Sequence, residues 1–199
     1  MGQLYVEGWA PDYGSPFETD DDLADLDKVD ETVEVDGPWS PIPGRDDGIA
    51  EVAFVDGVRR IDARLTLDEP TGPIPGICGT HGVGAVVWNR EQRRSVFRDI
   101  QIDRVAVFGN GQGSPIPVGH PGVVYRSESI PESDPGMLIQ RFHGSMRQAE
   151  ARLSEQLAQG GRFVVADGPI NDLSATEKVG YIKSHRAPYL SPPRAPLVG

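Results

Sequence analysis

The pattern of apolar and polar residues changes its period near residue 135. Between residues 49 and 130, short apolar runs alternate with turns rich in glycine and proline, which is typical of β-strands. From Pro135 to Gln159 the apolar residues recur every three or four positions and Gly160-Gly161 follows, which predicts an amphipathic helix that ends there. The predicted strands cover residues 51–56, 60–67, 79–88, 104–108, 122–126, 163–166 and 179–183.

The order of these elements predicts the fold class. Antiparallel strands come first, then one helix, then a strand that returns to the same sheet, which indicates a mixed α/β fold and not a doubly wound one. Residues 60–67 are expected to be the hairpin partner of residues 51–56, with the turn at Gly57-Val58-Arg59. We interpret residues 1–48 as an irregular arm rich in Pro, Gly and Asp, residues 49–190 as one domain, and residues 191–199 as an irregular tail.

Composition restricts the class of protein. The chain has 199 residues, of which 38% are hydrophobic, enough for one packed domain, and no apolar run reaches the roughly 18 residues of a membrane-spanning helix. The N-terminal residues lack the basic and apolar regions of a signal peptide, and Cys78 is the single cysteine. We therefore expect a cytoplasmic protein without disulfides, in which Cys78 is an inert small residue.

The net charge of −11 is concentrated in one segment. Ten acidic residues and one lysine lie between Glu18 and Asp36, and the rest of the chain holds 20 acidic against 18 basic residues. The body is thus nearly neutral, and its arginines at positions 59–60, 93–94 and 98 could contact phosphate. The acidic segment is expected to be a solvated linker or arm; the alternative is that it covers a basic groove or docks on a basic partner.

Several common motifs are missing from the sequence. The glycines at positions 109, 111 and 113 lack the spacing of a dinucleotide-binding loop, and prolines follow them where that loop would open a helix. The sequence contains no phosphate-binding loop, zinc-ligand spacing or nucleophile elbow. Of the four histidines, His81, His120 and His143 are expected to have surface or loop roles.

Two Asp-Gly steps are the best candidates for chemistry. Asp56-Gly57 follows the apolar run 52–55, and Asp167-Gly168 follows the run 163–166, so each aspartate is expected where a buried strand leaves the sheet. Two carboxylates at strand ends can share a divalent cation such as Mg²⁺. Asp-Gly is also a common turn dipeptide, so the simpler interpretation is that both steps are structural.

Metal-dependent cleavage of a phosphodiester needs more groups than two aspartates. Two cations about 4 Å apart activate the attacking water and stabilise the leaving oxygen, which requires at least one further acid. A lysine and a histidine at the end of the last strand could contact phosphate and donate a proton, or could be the exposed polar end of an edge strand. The candidates are Glu150 and Glu155 on the helix, Asp62 and Asp172 near the strand ends, and Lys183 and His185.

Three segments resemble, in order, the motifs of NurA-type nucleases. They are Phe-Val-Asp-Gly-Val-Arg-Arg at residues 54–60, Val-Val-Ala-Asp-Gly-Pro-Ile at 164–170 and Val-Gly-Tyr-Ile-Lys-Ser-His at 179–185. The resemblance covers roughly residues 50–190. It implies an RNase H-like fold and a role in DNA end processing or repair, together with a hexameric HerA-type ATPase.

The resemblance also implies roles for particular residues. Asp56 and Asp167 would be metal ligands, Glu150 would complete the cluster, and Mn²⁺ or Mg²⁺ would be the cofactor. Lys183 or His185 would contact the scissile phosphate. The implied partners are DNA, the HerA-type ATPase and a second copy of the chain in a homodimer, with no membrane.

Two departures from the family pattern limit these expectations. Val58 stands where the family usually has serine, and family members continue beyond the third motif into strands and a helix that bring a late acidic or histidine ligand. Because this chain ends at Gly199, we expect a short form, a fragment, or one half of an assembly whose missing part comes from elsewhere, and in each case unaided catalysis is doubtful. The alternative functions are a non-catalytic interaction subunit that keeps the fold, and a structural protein whose Asp-Gly steps are turns.

Overall fold

A computed structural model describes residues 3–7, 43–44, 46, 48–117, 119–168, 170 and 177–182. Eight strands and one helix are present in this part of the chain. The elements are β1 (Gln3–Glu7), β2 (Glu51–Glu69), β3 (Gly72–Asn89), β4 (Arg94–Phe108), β5 (Ile116–Pro117), β6 (Val124–Ser129), α1 (Pro135–Gln159), β7 (Phe163–Asp167) and β8 (Lys178–Tyr181).

The strands form one mixed sheet in the order β5-β6-β4-β3-β2-β7-β8, and β1 pairs with the second half of β2. Strands β2, β3 and β4 are antiparallel to one another. After α1 the chain returns to the other side of β2, where β7 pairs parallel with β2 and β8 parallel with β7. The predicted mixed α/β class with antiparallel first strands and one amphipathic helix is confirmed.

Strand β2 is continuous over 19 residues, so the predicted turn at Gly57-Val58-Arg59 is wrong. Gly57 pairs with Val83 and Arg59 with His81 in an unbroken antiparallel register. Because β3 offers a partner along this whole length, the chain gains more ladder hydrogen bonds by remaining extended than by turning. Asp56 therefore lies inside a strand and not at its end, whereas Asp167 ends β7 as expected.

Helix α1 begins and ends where the sequence pattern predicts. The Asp134 side chain accepts a hydrogen bond of 3.1 Å from the backbone N–H of Met137, and Pro135 occupies the first turn. Gly161 follows the helix with a φ of 81°, a conformation that suits glycine. Among the described residues, no helix combines the length and apolar character needed to cross a membrane. The buried apolar residues of α1 are Leu138, Phe142, Met146, Ala149, Leu153, Leu157 and Ala158.

Helix α1 covers one face of the central strands. Ala53, Val55 and Val164 are buried under it, in one core cluster with residues of the helix. The opposite face stays apolar and open: Phe54 is 47% exposed and Phe97 is 76% exposed. Register places one apolar row across five strands of this face, consisting of Val179, Val165, Phe54, Val86 and Phe97.

The predicted N-terminal arm is not irregular throughout, because Gln3–Glu7 form β1. This strand pairs antiparallel with residues 64–68 of β2, and Leu4 packs on a core cluster. The alternation of apolar and polar residues in this segment is too short to predict a strand. The domain boundaries stay predictions. The acidic segment 18–36, Asp172, Lys183, His185 and the tail 191–199 lie outside the described residues.

Candidate functional site

A cleft of about 260 Å³ opens between α1 and the parallel pair β2–β7. The helix forms one wall and the carboxyl end of β7 forms the other. Its polar side chains come from four elements: Asp56 and Arg59 from β2, Arg147, Glu150 and Ser154 from α1, Asp167 from β7, and Lys178 from β8.

The two aspartates of the Asp-Gly steps lie on adjacent strands. Parallel register pairs Val55 with Ala166, so Asp56 and Asp167 occupy the next position on each strand. Paired strands lie about 4.8 Å apart, so the two side chains leave the backbone side by side. Asp56 Oδ1 also accepts a hydrogen bond of 2.8 Å from the backbone N–H of Gly57.

Glu150 reaches the cleft from the helix, directly over Gly57. A Cβ atom at Gly57 would contact Glu150 Oε1 and would lie 3.1 Å from its Cδ. The missing side chain of the glycine therefore makes the space that the glutamate occupies. Along β2, Val55 is buried under α1 and Asp56 is exposed, so Gly57 faces the helix and Asp56 leaves from the other side of the strand.

Because side chains alternate between the two faces of the sheet, the three acids approach the cleft from different sides. In the described residues, no three His, Cys, Asp or Glu side chains lie close enough together to hold a metal ion. Glu150 approaches from the helix side of the sheet, while Asp56 and Asp167 start from the opposite side. The donors are carboxylate oxygens, which Mg²⁺ and Mn²⁺ prefer, so the residues fit such an ion in type. They do not form a closed three-ligand cage in this conformation.

The electrostatic state of Glu150 reflects its neighbours. Burial, followed by the negative charges of Asp56 and Asp167, raises its pKa from 4.5 to about 7, and Arg147 and Arg59 oppose that rise. A carboxyl group with this pKa is partly protonated near neutral pH. It would release its proton when a cation or another positive group enters the cleft.

A basic group of side chains lies beside the acids. Arg59 Nε donates a hydrogen bond of 2.6 Å to His143 Nε2. Because a guanidinium only donates, the accepting ring nitrogen is unprotonated and His143 is neutral. Burial, together with the positive charges of Arg59 and Arg147, lowers the pKa of His143 to about 4. Burial and Arg147 also lower the pKa of Arg59, whereas Glu150 raises it.

Asp62, one of the candidate third acids, lies away from the cleft. Its side chain is 10% exposed and accepts three hydrogen bonds, at distances of 2.5 to 2.8 Å. Together with burial, its charge raises the pKa of Cys78 to about 11, which keeps that buried thiol protonated. We assign Asp62 a structural role. Its donors are Arg60, Thr80 and Tyr125.

Glu155 is also occupied by a structural contact. Lys178 Nζ lies 2.8 Å from Glu155 Oε2, and the two side chains are 4% and 16% exposed. This ion pair joins β8 to α1 at the side of the cleft. Near it, the hydroxyl group of Ser154 is buried without a hydrogen-bond partner among the described residues.

Two of the three histidines differ from their expected surface or loop roles. His81 lies within β3, is 3% exposed, and packs against Phe142 with ring centroids 5.9 Å apart. His143 is part of α1 and is half-buried. Both histidines lie inside elements that the sequence predicted, and the packing of α1 against the sheet decides their burial. His120 lies exposed in a bend, as expected.

Sequence reasoning missed the basic side of the cleft. Its signal is present in the spacing, because His143, Arg147 and Glu150 lie four and three residues apart and share one face of a helix. Arg59 was recognised as part of a basic pair, but the face of the sheet that its side chain takes depends on the continuity of β2. Lys178 and Ser154 had no signal, since neither belongs to a motif or to a recognisable spacing in the sequence.

Comparison with known proteins adds no assignment. No protein-family model matches the chain, and no curated protein matches it. A functional conclusion therefore rests on the residues of the cleft.

Proposed function

We propose that this chain is an RNase H-like, metal-dependent nuclease domain that hydrolyses phosphodiester bonds of DNA. The observation that carries the proposal is the convergence of Asp56, Glu150 and Asp167 on one cleft. The order β4-β3-β2-β7-β8 supports the RNase H-like assignment, since three antiparallel strands are followed, after a helix, by strands parallel to the first.

In this proposal Asp56, Asp167 and Glu150 hold Mn²⁺ or Mg²⁺. When bound, the ion would activate water and stabilise charge on the leaving oxygen. The two aspartates supply fixed negative charge from adjacent strands. Glu150 joins them by losing its proton. All three carboxylates line the same cleft, which is where the ion would bind.

The proposed partners follow from the resemblance to NurA-type nucleases. They are DNA, a HerA-type hexameric ATPase, and a second copy of the chain in a homodimer. Lys183 or His185 is proposed to contact the scissile phosphate.

The test is cleavage of end-labelled single- and double-stranded DNA by the purified full chain with MnCl₂, MgCl₂ or EDTA. We expect Asp56→Asn and Asp167→Asn each to reduce metal-dependent cleavage by roughly 100-fold, because each removes a charged ligand. Asp99→Asn is the matched control. It makes the same change outside the cleft, at an exposed position with a φ of 52° that asparagine tolerates. Unchanged cleavage in both cleft variants would refute the assignment.

The second candidate is a non-catalytic interaction subunit of a DNA-processing complex. The observation that favours it is the apolar row across β8, β7, β2, β3 and β4, in which Val179, Phe54 and Phe97 are exposed, since exposed apolar surface is typical of interaction sites. Calorimetric titration with MnCl₂ separates the two functions. A nuclease should give heat that Asp56→Asn removes, whereas an interaction subunit should give none.

A further inference from the structure

We propose that Arg59 and Arg147 form a phosphate-binding subsite beside the acidic cleft, and that His143 is a positioning residue that aims Arg59 into it. The ligand is a backbone phosphate of the nucleic-acid strand, so the inference rests on the proposed function for its substrate class. The subsite takes a phosphate other than the one at the carboxylates.

The arrangement of α1 and β2 places the two arginines together. The helix runs antiparallel to the strand, with Glu150 over Gly57 and His143 at Arg59. Alternation from Gly57 puts Arg59 on the face toward the helix. Arg147 lies between His143 and Glu150 on the same helical face, and both arginines line the cleft.

The hydrogen bonds of Arg59 leave donors for a ligand. Its Nε is bound to His143 Nε2 at 2.6 Å, which orients the plane of the guanidinium and leaves its terminal N–H groups for other acceptors. In the described part of the chain, neither Arg59 nor Arg147 forms a salt bridge, whereas other arginines pair with carboxylates. Both arginines are exposed to solvent and accessible to a ligand.

The charges favour an anion at this place. Two guanidinium groups repel each other, and burial together with the positive charge of Arg147 lowers the pKa of Arg59. Arginine forks bind phosphate oxygens in a bidentate manner, so one phosphate between them would relieve the repulsion.

The distances along the helix set the position of the phosphate. Arg147 precedes Glu150 by about 4.5 Å of helix axis and His143 precedes it by about 10.5 Å, at 1.5 Å per residue. The subsite therefore lies beside the carboxylates along the cleft, where it would take a neighbouring phosphate of the same strand.

The test is binding of a fluorescent single-stranded oligothymidylate to the full chain, by anisotropy in EDTA, at about 50 to 200 mM salt. We expect Arg59→Gln and Arg147→Gln each to weaken binding at low salt and to reduce the slope of log K against log salt by about 0.7, the value for one phosphate contact on a single strand. Arg152→Gln is the control, since it removes an exposed arginine of α1 outside the cleft.

The role of His143 has its own readout. His143→Gln keeps an acceptor for Arg59 and should retain most of the affinity. His143→Ala should weaken binding as much as Arg59→Gln does, with no further loss when the two changes are combined. Thermal unfolding of each variant ensures that only folded proteins are compared. Equal losses in His143→Gln and His143→Ala, or losses that add to that of Arg59→Gln, would refute the positioning role.

The subsite and the nuclease function can fail separately. The subsite is refuted if Arg152→Gln lowers the salt slope as much as Arg147→Gln does. It is also refuted if neither Arg59→Gln nor Arg147→Gln lowers that slope. Cleavage that depends on Asp56 would then still support the nuclease. If Arg59→Gln and Arg147→Gln lower the slope while Asp56→Asn leaves cleavage unchanged, the subsite stands as a DNA contact and the nuclease assignment is wrong.

Discussion

Replacing Glu150 with glutamine should stabilise the protein at high pH and leave its stability unchanged at low pH. The pKa of Glu150 in the folded protein is about 7, whereas its ordinary value is 4.5. Between these values the folded state binds a proton that the unfolded state has lost, so stability falls as pH rises. Above about pH 7 the full cost of the buried charge is present. Glutamine carries no charge and avoids that cost.

The size of the effect follows from the shift. At about 1.4 kcal/mol per pKa unit, a rise from 4.5 to about 7 corresponds to an upper bound of about 3.5 kcal/mol. Glu150 lines an open cleft and is not fully buried, so screening by solvent reduces the expected difference to about 1–2 kcal/mol. Arg59 and Arg147 limit the cost because they favour the ionised form.

The assay is urea unfolding, followed by tryptophan fluorescence, of wild type and Glu150→Gln between about pH 4 and pH 8 in EDTA. We expect equal free energies of unfolding at the lower pH and a more stable variant at the higher pH. Glu132→Gln, which changes an exposed glutamate outside the cleft, should follow wild type throughout. A Glu150→Gln curve parallel to that of wild type across this range would refute the reasoning.

Three further substitutions test the packing around the cleft. Gly57→Ala should change the melting temperature little, because only the flexible end of Glu150 must move. The same change should reduce metal-dependent DNA cleavage at least about tenfold, because it displaces the Glu150 carboxylate. Gly79→Ala should cost about 2–3 kcal/mol in urea unfolding, because its Cβ would meet a backbone oxygen at 2.8 Å and a buried ring; a cost near zero would contradict the packing. Lys178→Met should cost about 3 kcal/mol by removing the buried cation that faces the Glu155 carboxylate, and adding Glu155→Gln should recover most of that loss; if the double variant is no more stable than the single one, the ion pair is not the cause.

Helix α1 and strand β7 were predicted from local sequence signals, whereas the continuity of β2 depends on its partner strand and was not predicted. Helix α1 was predicted at both ends because its start and stop signals, Pro135 and Gly160-Gly161, are local. Strand β7 was predicted because an apolar run ends at Asp167. The turn at Gly57 was predicted wrongly, since Asp-Gly favours a turn only when no partner strand extends past it. Here β3 pairs with β2 through that point.

In the candidate site, too, residue types are local properties whereas closeness in space depends on strand pairing. Asp56 and Asp167 could be chosen from residue type and order, the family resemblance implied Glu150 among the helix acids, and all three line one cleft. Their closeness depends on the parallel pairing of β2 with β7, which joins segments more than 100 residues apart. The hydrogen bond between Arg59 and His143, 84 positions apart, likewise depends on packing.

By itself, the sequence determined the helix, the antiparallel order of the first strands and the acids available for chemistry, because periodicity and residue type are local properties. The tertiary structure alone decided which face each acid takes. The continuity of β2 sends Asp56 and Gly57 to opposite faces and makes room for Glu150 above the glycine. It also turns Arg59 toward the helix, where His143 and Arg147 complete the basic side of the cleft.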